Sequence, residues 1–112
     1  MERKVKKYLY DIVDAINLID EFIGDNRNFN LYQQNQMLKK AVEREFEIIG
    51  EALNRILKID VNFSISHTRN IIGLRNHIIH AYDNIVDEII WGIVNKNLPD
   101  LKNEVEKLLK DN

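Results

Sequence analysis

The polar side chains best suited to catalysis lie close together in one segment of the chain: Arg75, Asn76, His80 and Tyr82. The segment around them, residues 67–81, has the apolar spacing of a helix, in which Ile71, Leu74, Ile78 and Ala81 form the core face. His80 falls in the last turn of this predicted helix, where the negative end of the helix dipole stabilises a cation. A histidine held there can donate or accept a proton near neutral pH, so His80 is a candidate general acid or base.

The opposite face of this predicted helix does not have the composition of a surface that contacts only water. At about 100° per residue, four residues share it: Arg69, Gly73, Asn76 and His80. Ile72 and Ile79 flank this face, and apolar residues beside a glycine indicate close packing. The simplest partner for a chain of this size is a second copy across a twofold axis. We therefore predict a homodimer interface at Ile72, Gly73 and Ile79, with Asn76 and His80 of both copies near one seam.

The elements that must position these residues are helices, because periodic segments are long and turn signals are few. The predicted helices cover residues 3–23, 31–58, 67–81 and 86–97, followed by a short one opened by Pro99. Ser66 is the predicted N-cap of the third helix, and Gly50 inside the second indicates the close approach of another helix. Antiparallel helices with short connections predict an all-α, up-and-down four-helix bundle with a short fifth C-terminal helix.

Composition places limits on the class of protein. The 112 residues suit a single domain, 1–112, and 45% hydrophobic with 30% charged residues is typical of a globular chain. Cysteine is absent, which excludes disulfides and thiolate metal sites and suits the cytosol. No apolar run reaches the roughly 20 residues of a membrane span, and the N-terminus lacks a signal core, so we expect a cytoplasmic protein. The net charge of −2 requires any RNA site to be a local basic patch.

The spacing Arg75-Asn76-x-x-x-His80-x-Tyr82 resembles the motif of the HEPN superfamily, in which Arg is followed by four residues and then His. The Asn directly after the Arg and the Tyr two positions after the His are similar to the HepT branch. Glu43-Arg44 followed by Ile-Ile-Gly-Glu-Ala at 48–52 also resembles that branch, as does the order of four long helices and a short last one. The resemblance covers most of the chain. It implies a toxin encoded beside a minimal nucleotidyltransferase antitoxin.

The resemblance also implies a mechanism. HEPN ribonucleases are metal-independent and use no cofactor. The 2′-hydroxyl of the RNA, for which tRNA is one candidate here, attacks the adjacent phosphorus at a site built from both protomers. By this resemblance His80 is the general acid or base, and Arg75 stabilises the phosphorane with its cationic fork. Asn76 orients His80 or holds a phosphate oxygen. In the HepT branch the partner transfers AMP onto the residue that matches Tyr82, which adds charge that repels RNA. The implied system is a type VII-like toxin–antitoxin pair.

Other residues have less specific interpretations. Arg69 either binds RNA or pairs with an acid across the dimer. His77 is interpreted as a solvated neighbour and His67 as a residue without chemical role. A metal held by His77 and His80 is disfavoured, because no nearby carboxylate completes the set. The acidic residues of the second predicted helix are interpreted as a solvated face with ion pairs to Arg44 or Lys40: Glu43, Glu45, Glu47 and Glu51.

Two other functions stay open at this stage. One is a non-catalytic HEPN module that binds a nucleotide or serves a partner nucleotidyltransferase. The other is a structural helical bundle without a site. Arg75 and His80 together favour the ribonuclease over the binding module, and Gly73 within a polar stripe argues against the purely structural bundle.

Overall fold

The computed structural model describes residues 1–79 and 84–111, and its description leaves out the side chains of residues 77, 79 and 84–86. Six α-helices and no strand occur in these two ranges. The helices are α1 (Arg3–Ile23), α2 (Phe29–Gln34), α3 (Gln36–Ile59), α4 (Thr68–Ile79), α5 (Asn84–Lys96) and α6 (Leu98–Lys110). The all-α prediction is confirmed, with six helices in these ranges where five were predicted. None of the described helices combines the length and hydropathy needed to cross a bilayer.

Helix α1 has the predicted bounds, because its signals are local. Its apolar stripe is buried along its whole length: Val5, Leu9, Ile12, Ile16 and Ile19. Glu2 accepts a hydrogen bond from the amide of Lys4 at the start, and Gly24 ends the helix with a φ of 74°. Glycine adopts this left-handed conformation without the steric cost that a Cβ brings. The buried stripe packs mainly against α3 and, to a smaller extent, against α6.

The single helix predicted over 31–58 is wrong, since the structure breaks it at Asn35. The backbone of Asn35 is extended, with φ −100° and ψ 94°, and its side chain accepts a hydrogen bond from the amide of Leu38 at 3.0 Å. Asparagine often caps a helix in this way, because its short side chain competes for backbone groups. The separated helix α2 places Tyr32 in the core, where its ring packs 5.0 Å from that of Trp91.

Helix α4 buries the predicted face, since Ile71, Leu74 and Ile78 are all in the core. Ala81, the fourth predicted core residue, lies outside the described residues. The predicted N-cap at Ser66 is wrong: α4 begins at Thr68 and is directly preceded by His67, whose φ is 67°. The amide of Ser66 instead donates to the carboxylate of Glu104 at 3.1 Å, so a contact with α6 determines how the chain enters α4.

Helices α5 and α6 complete the bundle. Helix α5 starts two residues before the predicted boundary, and Pro99 lies in the first turn of α6 as predicted. Asp87, in the first turn of α5, is buried and its carboxylate lies 2.8 Å from Nζ of Lys39 on α3. This ion pair joins the start of α5 to α3 at a point close in sequence to the predicted motif. The predicted homodimer stays a prediction.

Candidate active site cleft

The structure describes two of the four residues of the predicted motif. Arg75 and Asn76 lie in α4, Arg75 half-buried and Asn76 exposed. His80 and Tyr82 fall outside the described residues, as does the side chain of Ile79.

The side chain of Arg75 crosses α3 at Gly50. A Cβ atom added to Gly50 would lie 2.8 Å from both Cβ and Cδ of Arg75, which is closer than real Cβ atoms approach. The close approach predicted at Gly50 is confirmed, and the neighbouring helix is α4. Gly50 is thus the position that lets the arginine stem lie flat on α3.

The guanidinium of Arg75 is held by Glu51, the residue after that glycine. Nη2 of Arg75 lies 2.7 Å from Oε2 of Glu51, and Nε of Arg55 lies 2.7 Å from Oε1 of the same carboxylate. The hydrogen bond to Glu51 is the main cause that raises the pKa of the exposed Arg55, and the neighbouring Tyr8 hydroxyl adds to the rise. An arginine has five N–H donors, and the pair with Glu51 uses only those on Nη2. Arg75 is therefore fixed in position while other donors remain outside this pair.

The four glutamates of this helix were predicted as a group to pair with Arg44 or Lys40, and for Glu51 the structure shows other partners. Arg44 and Lys40 lie on the same helix, about two and three turns before Glu51. In the structure α4 crosses α3 at this point and supplies a nearer cation, Arg75, while Arg55 pairs from the following turn of α3. Glu51 is thus a functional candidate that sequence reasoning missed. Its place beside Gly50 was the available signal.

A cleft of about 400 Å³ opens beside Arg75, between α1 and α3. It has one more cation than carboxylates. The cations are Lys7, Arg44, Arg55 and Arg75, and the carboxylates are Asp11, Glu47 and Glu51. In a chain of net charge −2, the cleft thus carries a small local excess of positive charge, the sign that binds a phosphate. In the described part of the chain, no cluster of three or more histidine or acidic side chains is placed to hold a metal ion.

Among the described residues, the predicted dimer face has open space at Gly73. A Cβ atom added to Gly73 would meet nothing within 4 Å, and Arg69 and Asn76 are exposed. Ile72 is half-buried against the core. Arg69 lines a separate groove with the loop before α4 and does not reach the cleft of Arg75. The face has room for a partner, and the dimer itself is not tested by these contacts.

Comparisons with known proteins agree on one family. The family model described as Ribonuclease HepT-like matches residues 12–108, a span that contains Gly50, Glu51, Arg75 and Asn76. A Methanocaldococcus jannaschii protein, provisionally named as an RNase, is 38% identical over 107 residues, covering 94% of this chain and 96% of its own. A Thermococcus cleftensis protein, provisionally named ribonuclease HepT, is 36% identical over 114 residues, covering 98% of this chain and 100% of its own. No solved structure matches the chain significantly.

Proposed function

The chain belongs to the Ribonuclease HepT-like family, and we propose on that premise that it is a metal-independent endoribonuclease built around Arg75. The observation that carries the proposal is the fixed guanidinium. Arg75 is held by Glu51 at the edge of a cationic cleft, at the position that the HEPN motif assigns to arginine. A preorganised cation stabilises charge that develops in a transition state without first having to be reoriented.

The proposed reaction is an attack of the RNA 2′-hydroxyl on the adjacent phosphorus. The oxygen–phosphorus bond to the next nucleotide breaks, which leaves a 2′,3′-cyclic phosphate and a 5′-hydroxyl. Arg75 donates from its fork to the non-bridging oxygens of the phosphorane, whose negative charge is greatest at that point. His80 transfers a proton as acid or base, and Asn76 orients His80 or holds a phosphate oxygen. Proton transfer and charge stabilisation are thus both assigned to side chains.

The proposed site is composite, with residues from two copies of the chain. Asn76 is exposed on the same face of α4 as Gly73, where an added Cβ atom meets none of the described residues within 4 Å. A second copy packed there brings two Asn76 side chains close together, and with them the residues that follow in sequence. This geometry explains how a chain of 112 residues supplies enough groups for catalysis.

The proposed biological role is that of a cytoplasmic toxin whose partner is a minimal nucleotidyltransferase. The partner transfers AMP to the hydroxyl of Tyr82, two residues after His80. Each AMP adds a negative phosphate to a region that must bind RNA, so the modified protein is inactive. Support comes from the family match and from the relative named ribonuclease HepT. Absence of a mass increase on Tyr82 after coexpression with an adjacent nucleotidyltransferase contradicts this part of the proposal.

The test uses purified, unmodified protein incubated with total tRNA in EDTA, beside His80→Ala and Arg75→Lys. Cleavage by the wild type alone, with cyclic phosphate ends, supports the proposal. Arg75→Lys keeps the charge but loses the planar fork, so its failure distinguishes bidentate binding from simple attraction. Equal cleavage by all three proteins indicates a contaminating nuclease and overturns it. No cleavage by any of them, from dimeric AMP-free protein, favours a non-catalytic binding module.

A further inference from the structure

The cleft beside Arg75 has the size and lining of a small-ligand site. Its volume of about 400 Å³ falls within the roughly 300–1,000 Å³ that such sites occupy. Ile48 and Ala52 of α3 contribute apolar surface, and Tyr8 of α1 contributes an aromatic ring. Apolar surface combined with a few convergent polar groups is typical of a site that binds a compact, partly aromatic molecule.

Shared neighbours place the Tyr8 ring relative to Arg75. The Tyr8 hydroxyl lies beside Arg55, and Arg55 shares the Glu51 carboxylate with Arg75. Tyr8 is also half-buried against the core, and Nζ of Lys7 lies 5.1 Å from its ring centroid. The ring therefore has neighbours on both α1 and α3. An aromatic face fixed beside a phosphate-binding arginine suits a nucleobase, since every base can stack on it.

The charges of the cleft differ in how they are paired. Lys7 pairs with Asp11 at 2.9 Å, and Arg55 and Arg75 share Glu51. Arg44 is exposed, and within residues 1–79 and 84–111 no acidic side chain lies within ion-pair distance of it. Arg44 and Glu51 are seven residues apart on α3, or about 10 Å along the helix. The cleft thus has a paired cation, Arg75, beside the proposed reaction centre. A second cation, Arg44, has no such pair and lies farther along α3.

We propose that this cleft binds the nucleotide next to the scissile phosphate of the substrate RNA. The base stacks on Tyr8, Arg44 binds the phosphate on the far side of that nucleotide, and Arg75 holds the scissile phosphate. This inference rests on the ribonuclease function proposed above and adds a subsite to it.

Binding without cleavage tests the subsite. The probe is a fluorescent 2′-O-methyl oligonucleotide, which lacks the attacking hydroxyl, and its anisotropy is followed with unmodified protein across a salt series. Arg44→Gln is expected to weaken binding about tenfold at low salt and to lower the magnitude of the salt slope by about 1. Tyr8→Leu is expected to weaken binding about tenfold, and Tyr8→Phe to keep most of the affinity because the ring remains. Lys110→Gln removes an exposed charge from α6 and is the matched control.

Circular dichroism and sedimentation confirm that each variant is folded and assembled as the wild type is. Because Arg44 is exposed, its variant carries the test even where Tyr8→Leu fails to fold. Wild-type binding by Arg44→Gln overturns the inference, as does an effect equal to that of Lys110→Gln. A loss of self-association in Arg44→Gln also overturns it, because the cleft is then covered by a second copy.

Cleavage that persists unchanged in these variants leaves the ribonuclease standing without this subsite. Normal binding by a wild type that cleaves no RNA rejects the ribonuclease, and with it the assignment of the cleft to a nucleotide beside a scissile phosphate.

Discussion

Arg75 and Glu51 belong to different helices, and Nη2 of the one lies 2.7 Å from Oε2 of the other. The carboxylate therefore determines where the guanidinium lies. Glu51→Gln keeps the shape of the side chain but removes the charge that holds Arg75 and Arg55. We expect the cleavage rate constant to fall about tenfold to a hundredfold, because small misplacements of a catalytic group have effects of this size. RNA affinity should be unchanged or higher, since a negative charge leaves the cleft.

Single-turnover kinetics separate the two quantities for Glu51→Gln. The control is Glu106→Gln, which removes one carboxylate from the exposed side of α6. An unchanged rate constant for Glu51→Gln contradicts a positioning role. Equal losses of rate and affinity indicate a general loss of structure.

Gly50 should tolerate no side chain. Alanine is the better helix former by about 1 kcal/mol, yet its Cβ would collide with the stem of Arg75, including the Cβ atom close to the α4 backbone. We expect Gly50→Ala to lower the free energy of unfolding by about 1–3 kcal/mol. Urea denaturation at constant protein concentration measures it. Gly92→Ala, where an added Cβ meets nothing within 4 Å, should be neutral or stabilising, and equal behaviour of the two variants disproves the steric argument.

Gly73 tests the predicted dimer. An added Cβ atom there meets none of the described residues within 4 Å, so we expect the Gly73→Leu monomer to fold. If a second copy packs on this face, the leucine separates the two chains, and we expect at least a tenfold weaker dimer and loss of cleavage. Sedimentation velocity over a concentration series measures the association. Gly92→Leu, at a comparably open helical site, is the control, and a Gly73→Leu dimer of normal strength rules out this interface.

The buried pair of Lys39 and Asp87 should be important for stability. Their side chains are 13% and 5% exposed, so neither charge is well solvated without the other. Asp87→Asn is expected to cost about 3–5 kcal/mol, because it leaves a buried lysine without its partner charge. The double variant Lys39→Met with Asp87→Leu should recover much of that loss. Urea denaturation of the wild type, Asp87→Asn and the double variant measures their free energies of unfolding. A loss of stability below about 1 kcal/mol for Asp87→Asn contradicts the prediction.

Glu43 gives the protein a specific pH dependence. Burial raises the pKa of its carboxyl, Lys40 opposes the rise, and Asp87 adds to it. Because its pKa is higher in the folded state, Glu43 binds a proton more tightly there than in the unfolded chain, so protonation of Glu43 stabilises the fold. This stabilisation is complete below the ordinary glutamate pKa and is lost as pH rises through the folded pKa. Glu43→Gln should therefore raise the melting temperature at pH 7 by about 1–2 °C, after allowance for solvent screening.

The advantage of Glu43→Gln should disappear as the pH is lowered through the glutamate range, because the wild-type carboxyl then becomes neutral as well. Calorimetric scans from pH 7 to pH 4 measure this convergence. Glu45→Gln serves as the control on the same helix. A gap that widens on acidification reverses the sign and contradicts the prediction.

Local signals predicted the parts of the fold that depend on one helix at a time. The bounds of α1 and the buried face of Ile71, Leu74 and Ile78 follow from apolar spacing alone. The break at Asn35 did not follow, because the apolar pattern continues across it and a side-chain hydrogen bond to Leu38 separates the two helices. The start of α4 was also missed, since it depends on a contact between Ser66 and Glu104, 38 residues away.

By itself, the sequence determined the helical class and the residue types of the motif. It also indicated, through Gly50, that another helix comes close to α3. Only the tertiary structure decided that Arg75 pairs with Glu51, that Arg55 shares that carboxylate, and that Tyr8 completes the cleft. The physical reason is that periodicity defines the direction of a side chain around its own helix axis. The partner that the side chain meets depends on where two helices cross, and that is set by the packing of the whole core.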